Sequence, residues 1–207
     1  GIGYGLTETN ALGTMGAGDE YINNPSSAGR VVPPLTEIKI IDENWQELPE
    51  GKIGEVAIRS QSNMKGYWRN DDATAECINS EGWFKSGDLG KFDGPFLYIL
   101  DRLKDMVIRG GENIACPEVE GAIYEHPDVL EASVFGIPDE RLGEILCSSI
   151  CLREGSKLSI ESLNEFLSDK LAAFKIPVKI KFTYNPLPKI ASGKFDKPTM
   201  RQNFIEE

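Results

Sequence analysis

The first residues of the chain combine an aromatic ring, a hydroxyl group and a carboxylate within one short turn. The segment YGLTET, residues 4–9, contains Tyr4, Thr7 and Glu8 and lies in a glycine-rich stretch. Such a ring can stack on a nucleobase, the hydroxyl can hydrogen-bond to a phosphate, and the carboxylate can bind Mg²⁺. A tight polar loop without a ligand has the same composition. Taken alone, the segment is compatible with both interpretations.

Two common phosphate-binding loops do not match this glycine-rich stretch. Gly1 and Gly3 begin a dinucleotide fingerprint, but Leu6 occupies the position of its third glycine. A P-loop ends in Gly-Lys-Ser/Thr, whereas Gly18 is followed by Asp19. Both loops are therefore excluded for this segment.

Two later segments place charged side chains beside glycines. GWFKSGDLG, residues 82–90, contains Asp88 in a predicted glycine-flanked turn, where its carboxylate can accept hydrogen bonds from both hydroxyls of a ribose. LPKIASGKFDK, residues 187–197, carries Lys194 on a glycine loop that we expect to be flexible. Asp88 is also typical of an ordinary turn, and Lys194 of an exposed surface.

Composition excludes several classes of function. The chain has 207 residues, with 33 acidic and 22 basic side chains and a formal net charge of −11, which argues against broad nucleic-acid binding. His126 is the only histidine, so a histidine-rich metal site is excluded and a Ser-His-Asp triad would have to use it. The four cysteines form no CxxC pair, which makes a zinc knuckle improbable. Cys147 and Cys151 are expected on one face of a strand as reduced, half-buried thiols.

No apolar run approaches the roughly 20 residues needed to span a bilayer, and no basic-plus-apolar signal opens the chain. We therefore expect no transmembrane segment and a cytoplasmic protein, and leave peripheral membrane attachment open. Residues 170–201 contain eight Lys or Arg and one acid, Asp196. This run is either a solvated face or a basic surface near a polyanionic ligand.

Short alternating segments predict strands in the first half of the chain. TEIKII and GEVAIR alternate with Ile38, Ile40, Val56 and Ile58 inward, and FLYIL alternates at Phe96, Tyr98 and Leu100. The segment ATAECI, residues 73–78, can form a short helix. The first half is therefore predicted to be a small, distorted β-barrel or sandwich.

The pattern changes after Asp101. Pro117 is suited to the first turn of a helix that should end before His126, and Ser159 can cap a second helix with Leu163 and Leu167 on its buried stripe. VLEASVFGI and EILCSSICL are typical of paired strands, and the segment 178–184 alternates as a strand. The sequence thus predicts an α+β protein in two units. Residues 1–101 would be barrel-like, and residues 102–207 a small α+β domain with a mixed sheet and flanking helices.

Six segments in a fixed order carry a family resemblance: YGLTET, SAGRVVPPLTEIKIID, GEVAIRSQSNMKGYW, GWFKSGDLG, DRLKDMVIRGGENI and LPKIASGKFDK. Together they resemble the carboxyl-terminal part of adenylate-forming enzymes, the superfamily of acyl-CoA synthetases, peptide-synthetase adenylation domains and beetle luciferases. The resemblance covers essentially the whole chain. Within the superfamily, GGENI and GWFKSGD are most similar to fatty-acyl and related acyl-CoA ligases.

The resemblance implies a nucleotide site at the start of the chain. Tyr4 would pack against adenine, with Gly5 in the same nucleotide-binding turn. Thr7 would contact the α-phosphate and Glu8 would help to hold Mg²⁺. The glycine- and threonine-rich phosphate loop of the family is absent from these residues, as is most of the acyl pocket.

Other matching residues would complete the site. Asp88 would bind the ribose hydroxyls with help from Arg102, and Lys104 occupies the hinge position of the family, where Asp is also common. Residues 1–101 would be the last subdomain of a large amino-terminal domain. Residues 102–207 would be a mobile carboxyl-terminal domain.

Lys194, together with Thr7 and Glu8, would form the catalytic set. Lys194 would bridge the acyl carboxylate and the α-phosphate in the first half-reaction. Gly110 and Gly111 would line the passage for the pantetheine of CoA in the second. Ser86 and Phe195 depart from the family, which more often has Thr and a smaller aliphatic residue at these positions.

The implied activity is that of an ATP-dependent acid–thiol ligase that forms AMP. ATP, Mg²⁺ and CoA would act with a carboxylic acid, and a fatty acid is favoured. We expect this chain to be a fragment that lacks its amino-terminal domain and is inactive alone. An adenylation enzyme that loads a carrier protein, or a folded module without catalysis, are the alternatives.

Overall fold

The computed structural model describes residues 1–206 and has the α+β composition that the sequence predicts. The chain divides into two compact units, Gly1–Lys104 and Asp105–Glu207. In the part of the chain that the structure describes, no helix is both long and apolar enough to cross a membrane.

The first unit is built on an antiparallel sheet of seven strands. Its order is β1-β2-β3-β7-β6-β5-β4. The elements are β1 (Ile2–Tyr4), a 3₁₀ turn (Thr7–Thr9), β2 (Thr14–Gly16), α1 (Gly18–Asn23), β3 (Arg30–Val31), β4 (Thr36–Ile41), β5 (Gly54–Ser60), α2 (Asp71–Cys77), β6 (Phe84–Asp93) and β7 (Phe96–Arg102). The order ends at β1 and β4, and no strand pairing among residues 1–206 joins these two. The sheet is therefore open, and the expected barrel is not closed.

Alternation along the central strands explains the core of this unit. Val56, Ile58 and Leu97 are fully buried in one cluster, as expected for residues that share a face of a sheet. The inner face of β7 was predicted wrongly. Leu97 packs into this cluster, whereas Phe96 and Tyr98 lie on the other face and are half-buried. A run of five apolar residues does not reveal which face is inward. That choice is made by the pairing with β6, whose register shifts between Leu89 and Gly90.

The second unit has a mixed five-stranded sheet. Its order is β10-β11-β8-β9, and β12 pairs in parallel with β11. The elements are β8 (Val107–Arg109), β9 (Glu112–Ile114), α3 (Cys116–Tyr124), β10 (Val129–Asp139), β11 (Gly143–Leu152), α4 (Ile160–Ser168), a 3₁₀ turn (Ala173–Lys175), β12 (Lys179–Thr183) and α5 (Lys197–Ile205). The mixed sheet and flanking helices match the sequence prediction.

Local sequence signals account for the helices of this unit. Helix α3 begins one residue before Pro117 and packs Val119 and Ile123 into the main core. The Ser159 side chain accepts a hydrogen bond from the Ser162 amide and caps α4 as predicted. Helix α5 was not predicted from the sequence.

The two cysteines of β11 lie on one face, as predicted. Cys147 and Cys151 are fully buried in a second core cluster, with Phe135 and Phe204, and both thiols are free. They are more deeply buried than expected. Burial raises the pKa of Cys147 to about 11, so this thiol is protonated at neutral pH and serves as packing material.

Candidate functional site

Three side chains of the first unit meet at one carboxylate. Asp88 in β6 lies directly opposite Arg102, the last residue of β7, in the register of the sheet. The Tyr4 hydroxyl, at the end of β1, donates to Asp88 Oδ2 at 2.7 Å. Arg102 Nε lies 3.3 Å from Asp88 Oδ1. The structure therefore brings together Tyr4, Asp88 and Arg102, which are up to 98 positions apart in the sequence.

Asp88 is held inside a strand, which corrects the predicted turn. It is 6% exposed, and its amide donates to Ser86 Oγ at 3.1 Å. Gly87 provides the turn-like element, because its φ of +73° lies in the region that L side chains rarely adopt. The sequence signal of a glycine next to an aspartate was therefore real, but the long strand on both sides was not expected.

The hydroxyl of Tyr4 stays protonated. Burial raises the pKa of Tyr4 well above its usual range; a hydrogen bond with Ser86 partly opposes this rise, and the carboxylate of Asp88 adds to it. A protonated hydroxyl can only donate to the carboxylate. Each carboxylate oxygen has two acceptor positions, so Asp88 can accept from Tyr4 and Arg102 and still accept from two hydroxyls of a ligand.

Glu8 lies near a tyrosine that the sequence analysis did not select. The Tyr67 hydroxyl donates to Glu8 Oε1 at 3.0 Å, and the Met64 amide donates to the Glu8 carbonyl at 2.7 Å. Burial and then Glu8 raise the pKa of Tyr67 to about 12. Tyr67 thus orients one oxygen of the Glu8 carboxylate. Its place in the quoted segment GEVAIRSQSNMKGYW was the only available signal.

The turn that carries Thr7 and Glu8 is tight. A Cβ at Gly5 would lie 2.4 Å from the carbonyl carbon of Ala11, so only glycine fits this backbone approach. Thr9 is buried and closes the turn, because its side chain accepts from the Leu6 amide at 3.1 Å. Thr7 is exposed and faces solvent. Gly5 therefore shapes the turn, and Thr7 is free to meet a ligand.

The described residues fit a Mg²⁺ ion that is bound together with a nucleotide. Residues 1–206 contain no group of three or more His, Cys, Asp or Glu side chains that could hold a metal ion. Mg²⁺ bound with nucleotides uses one or two carboxylates together with phosphate oxygens and water. The half-buried carboxylate of Glu8 can supply the single protein ligand for such a site.

Lys194 lies in a hydrogen-bonded hairpin. We call residues 188–196 the lysine hairpin. Its backbone bonds run from the Ile190 amide to the Lys194 carbonyl and from the Asp196 amide to the Pro188 carbonyl, each at 2.9 Å. Gly193 makes the bend with a φ of +83°. The sequence signal was the glycine alone, which does not distinguish a hairpin from a mobile loop.

Four of the eight basic side chains in residues 170–201 are paired with acids of the same unit. Four lysines form ion pairs at 2.5–3.1 Å: Lys170–Glu125, Lys175–Glu118, Lys189–Glu131 and Lys197–Glu120. Within residues 1–206, Lys194 makes no ion pair, and its side chain is exposed. The hairpin thus presents a cation that has no ion-pair partner among the described residues.

Gly110 and Gly111 form the two-residue turn between β8 and β9. Their φ angles of +60° and +87° are typical of the tight hairpin turns that favour Gly-Gly. A Cβ at Gly111 would meet nothing within 4 Å, so the backbone conformation rather than crowding requires glycine there. Lys104 is exposed and is the last residue of the first unit.

Two family models match this chain. Residues 1–68 match the model described as AMP-binding enzyme, and residues 118–194 match the model described as AMP-binding enzyme C-terminal domain. The second match includes Lys194, and the first includes Tyr4 and Glu8.

Individual relatives agree with these matches. The chain is 40% identical over 208 residues to the candidate acyl-CoA synthetase YngI of Bacillus subtilis, covering 99% of this chain and 38% of that protein. It is 37% identical over 204 residues to the mitochondrial medium-chain acyl-CoA ligase ACSF2 of Danio rerio, covering 97% and 33%. The solved structure of ATP-bound MatB from Rhodopseudomonas palustris superposes with a TM-score of 0.88 at 33% identity, over 97% of this chain and 39% of that one.

The structure is an α+β fold in two units, and both matching family models describe AMP-binding enzymes. The chain belongs to the adenylate-forming superfamily, with parts of both its AMP-binding region and its C-terminal domain. It spans about a third to two-fifths of the length of the curated relatives it matches.

Proposed function

We propose that the protein containing this chain is an AMP-forming acyl-CoA ligase. It would convert ATP, a carboxylic acid and CoA into acyl-CoA, AMP and pyrophosphate through an acyl-AMP intermediate. The observation that carries this proposal is the buried Asp88 carboxylate, held by Tyr4 and Arg102 with acceptor positions left for a ribose. The similarity to acyl-CoA ligases supports the choice of reaction.

The first unit would bind the nucleotide. Asp88 accepts the two ribose hydroxyls, and the Tyr4 ring packs against adenine while its hydroxyl fixes the carboxylate. Thr7 donates to the α-phosphate from its exposed position in the turn. Glu8 would hold Mg²⁺, which when bound neutralises phosphate charge.

Lys194 would serve the first half-reaction. A carboxylate that attacks the α-phosphate of ATP brings two anions together, and negative charge develops on the phosphoryl oxygens. A compact ammonium that is not already paired can bridge both groups. Lys194 meets this requirement, because within residues 1–206 it forms no ion pair, whereas its neighbours Lys189 and Lys197 do.

The second half-reaction would use another part of the second unit. The thiol of CoA attacks the acyl carbonyl of acyl-AMP and releases AMP, a step that needs a narrow passage and no bridging lysine. Gly110 and Gly111, without side chains, would border that passage. We propose that the second unit moves about Lys104 between the two steps.

A fatty acid is the proposed acid, in line with the medium-chain ligase among the relatives. The test supplies the complete gene product with ATP, Mg²⁺, CoA and a panel of fatty, aromatic and dicarboxylic acids, and detects thioesters by mass spectrometry. Acyl-CoA that depends on ATP supports the proposal, and the product masses name the acid. Acyl-AMP without thioester would refute the choice of CoA and indicate a carrier protein. The 207-residue chain alone, measured in parallel, is expected to be inactive.

A further inference from the structure

The lysine hairpin is attached to the second unit by two glutamates. Glu131 in β10 contacts Leu187 and Lys189 at the start of the hairpin. Glu120 in α3 contacts Lys197, the residue that follows the end of the hairpin. Both side chains are 18% exposed, which is low for glutamate. Neither residue was selected from the sequence, because each lies more than fifty positions before the hairpin.

Glu131 makes two bonds at the entry. Its Oε2 accepts from the Leu187 amide at 2.8 Å, and its Oε1 accepts from Lys189 Nζ at 2.5 Å. Leu187 is itself 4% exposed in the second core cluster. One carboxylate therefore fixes the backbone just before the hairpin and a side chain within it. Burial raises the pKa of Glu131, but the bonds from Lys189 and Leu187 outweigh it, so the net pKa is lowered and the group is ionised at neutral pH.

Glu120 acts similarly at the exit. Its Oε1 accepts from the Val134 amide at 2.8 Å and lies 3.1 Å from Lys197 Nζ. Lys197 directly follows Asp196, whose side chain caps α5 by accepting from the Thr199 amide. Asp196, the last residue of the hairpin, is thus held by its own capping bond and by the half-buried ion pair of the next residue.

Both ends of the hairpin are anchored, while its tip carries an exposed lysine without an ion pair among the described residues. We propose that Glu131, with Glu120, is a positioning residue for Lys194 in the adenylation half-reaction. This inference rests on the proposed function, because it assumes that Lys194 acts on the α-phosphate. A displacement of about 1 Å at a reacting group can lower a rate by as much as about 100-fold.

The experiment measures both half-reactions of the complete gene product. Adenylation is followed by acid-dependent ATP–pyrophosphate exchange, with the acid that turns over fastest in the panel. Thioester formation is followed separately, from synthetic acyl-AMP and CoA. The variants are Glu131→Ala, Glu131→Gln and Lys189→Met, with Glu118→Gln as the matched control. Glu118 forms an ion pair with Lys175 in the same unit at 2.6 Å, and has no bond to the hairpin.

We expect Glu131→Ala to slow adenylation by about 10- to 100-fold and to leave thioester formation within about twofold of the wild type. Glu131→Gln should slow adenylation less, because the amide oxygen can still accept from the Leu187 amide. Glu118→Gln should change neither rate. Hydrogen exchange at the Ile190 and Asp196 amides should rise in Glu131→Ala and not in the control.

Two results would overturn the inference. Adenylation unchanged in Glu131→Ala shows that the anchor does not position Lys194. Equal losses in both half-reactions show a general loss of structure rather than positioning. The Lys194→Ala variant distinguishes a failure of this inference from a failure of the proposed role of Lys194. If Lys194→Ala abolishes adenylation while Glu131→Ala does not slow it, only this inference fails. If Lys194→Ala retains adenylation, the proposed role of Lys194 fails and the inference with it.

Discussion

The hydroxyl of Tyr4 offers a direct test of the nucleotide site. Tyr4→Phe keeps the ring that would pack against adenine and removes only the donor at 2.7 Å from Asp88. Hydrogen bonds to charged groups contribute about 1.5–3 kcal/mol. Arg102 is a weaker substitute, because it is largely exposed and lies 3.3 Å from the other oxygen. Taking the lower part of that range, since Asp88 can recruit water or ligand hydroxyls, we expect ATP affinity to fall about tenfold, the equivalent of about 1.4 kcal/mol.

Calorimetric titration of the complete gene product with ATP measures this loss. Titration with 2′-deoxy-ATP then tests the cause, because the variant and the missing hydroxyl act through the same carboxylate and their penalties should not add. Tyr98→Phe is the matched control, since Tyr98 is a half-buried tyrosine of the same sheet. Unchanged ATP affinity in Tyr4→Phe would refute the argument. Fully additive penalties would show that Tyr4 does not act through Asp88.

Three further predictions concern the second unit. Lys194→Ala should lower pyrophosphate exchange by at least about 100-fold while thioester formation from synthetic acyl-AMP stays near the wild-type rate, and an equal loss in both would contradict the assigned role. Gly111→Ala should lower stability by about 1 kcal/mol in denaturant unfolding, because its φ of +87° disfavours L side chains, and a stabilised variant would refute this. The pKa of Glu131 is lower in the folded protein than its unfolded value of about 4.3. The carboxylate therefore stabilises the fold above that value, and this stabilisation is lost as the pH falls through the pKa of the folded state. The melting-temperature difference between wild type and Glu131→Gln should therefore shrink between pH 7 and pH 3, and a constant difference would contradict the ion pair with Lys189.

Local patterns predicted those parts of the fold that depend on neighbouring residues. The strands β10 and β11 pair as predicted from their apolar segments, and the cap at Ser159 follows from a hydroxyl before an apolar stripe. The inner face of β7 was misassigned because Phe96 and Leu97 are both apolar, and only pairing with β6 decides between them. Local patterns also could not predict that the first sheet is open, since closure depends on strands that are distant in sequence.

The candidate site divides in the same way. Tyr4, Asp88 and Lys194 were identified through their motifs, although no local signal indicated that Tyr4 donates to Asp88. Tyr67 and Glu131 were missed because their importance lies in contacts with residues 56 or more positions away. Such partners have no characteristic neighbours, so the three-dimensional structure was required to find them.

The central claim is that a carboxylate attacks the α-phosphate of ATP. The most direct measurement supplies the complete gene product with an acid labelled with ¹⁸O at both carboxylate oxygens, together with ATP, Mg²⁺ and CoA. Mass spectrometry of the products then locates the label. The account predicts one ¹⁸O atom in AMP for each acyl-CoA formed. Label in inorganic phosphate with ADP as the other product, or acyl-CoA formed with unlabelled AMP, would contradict it.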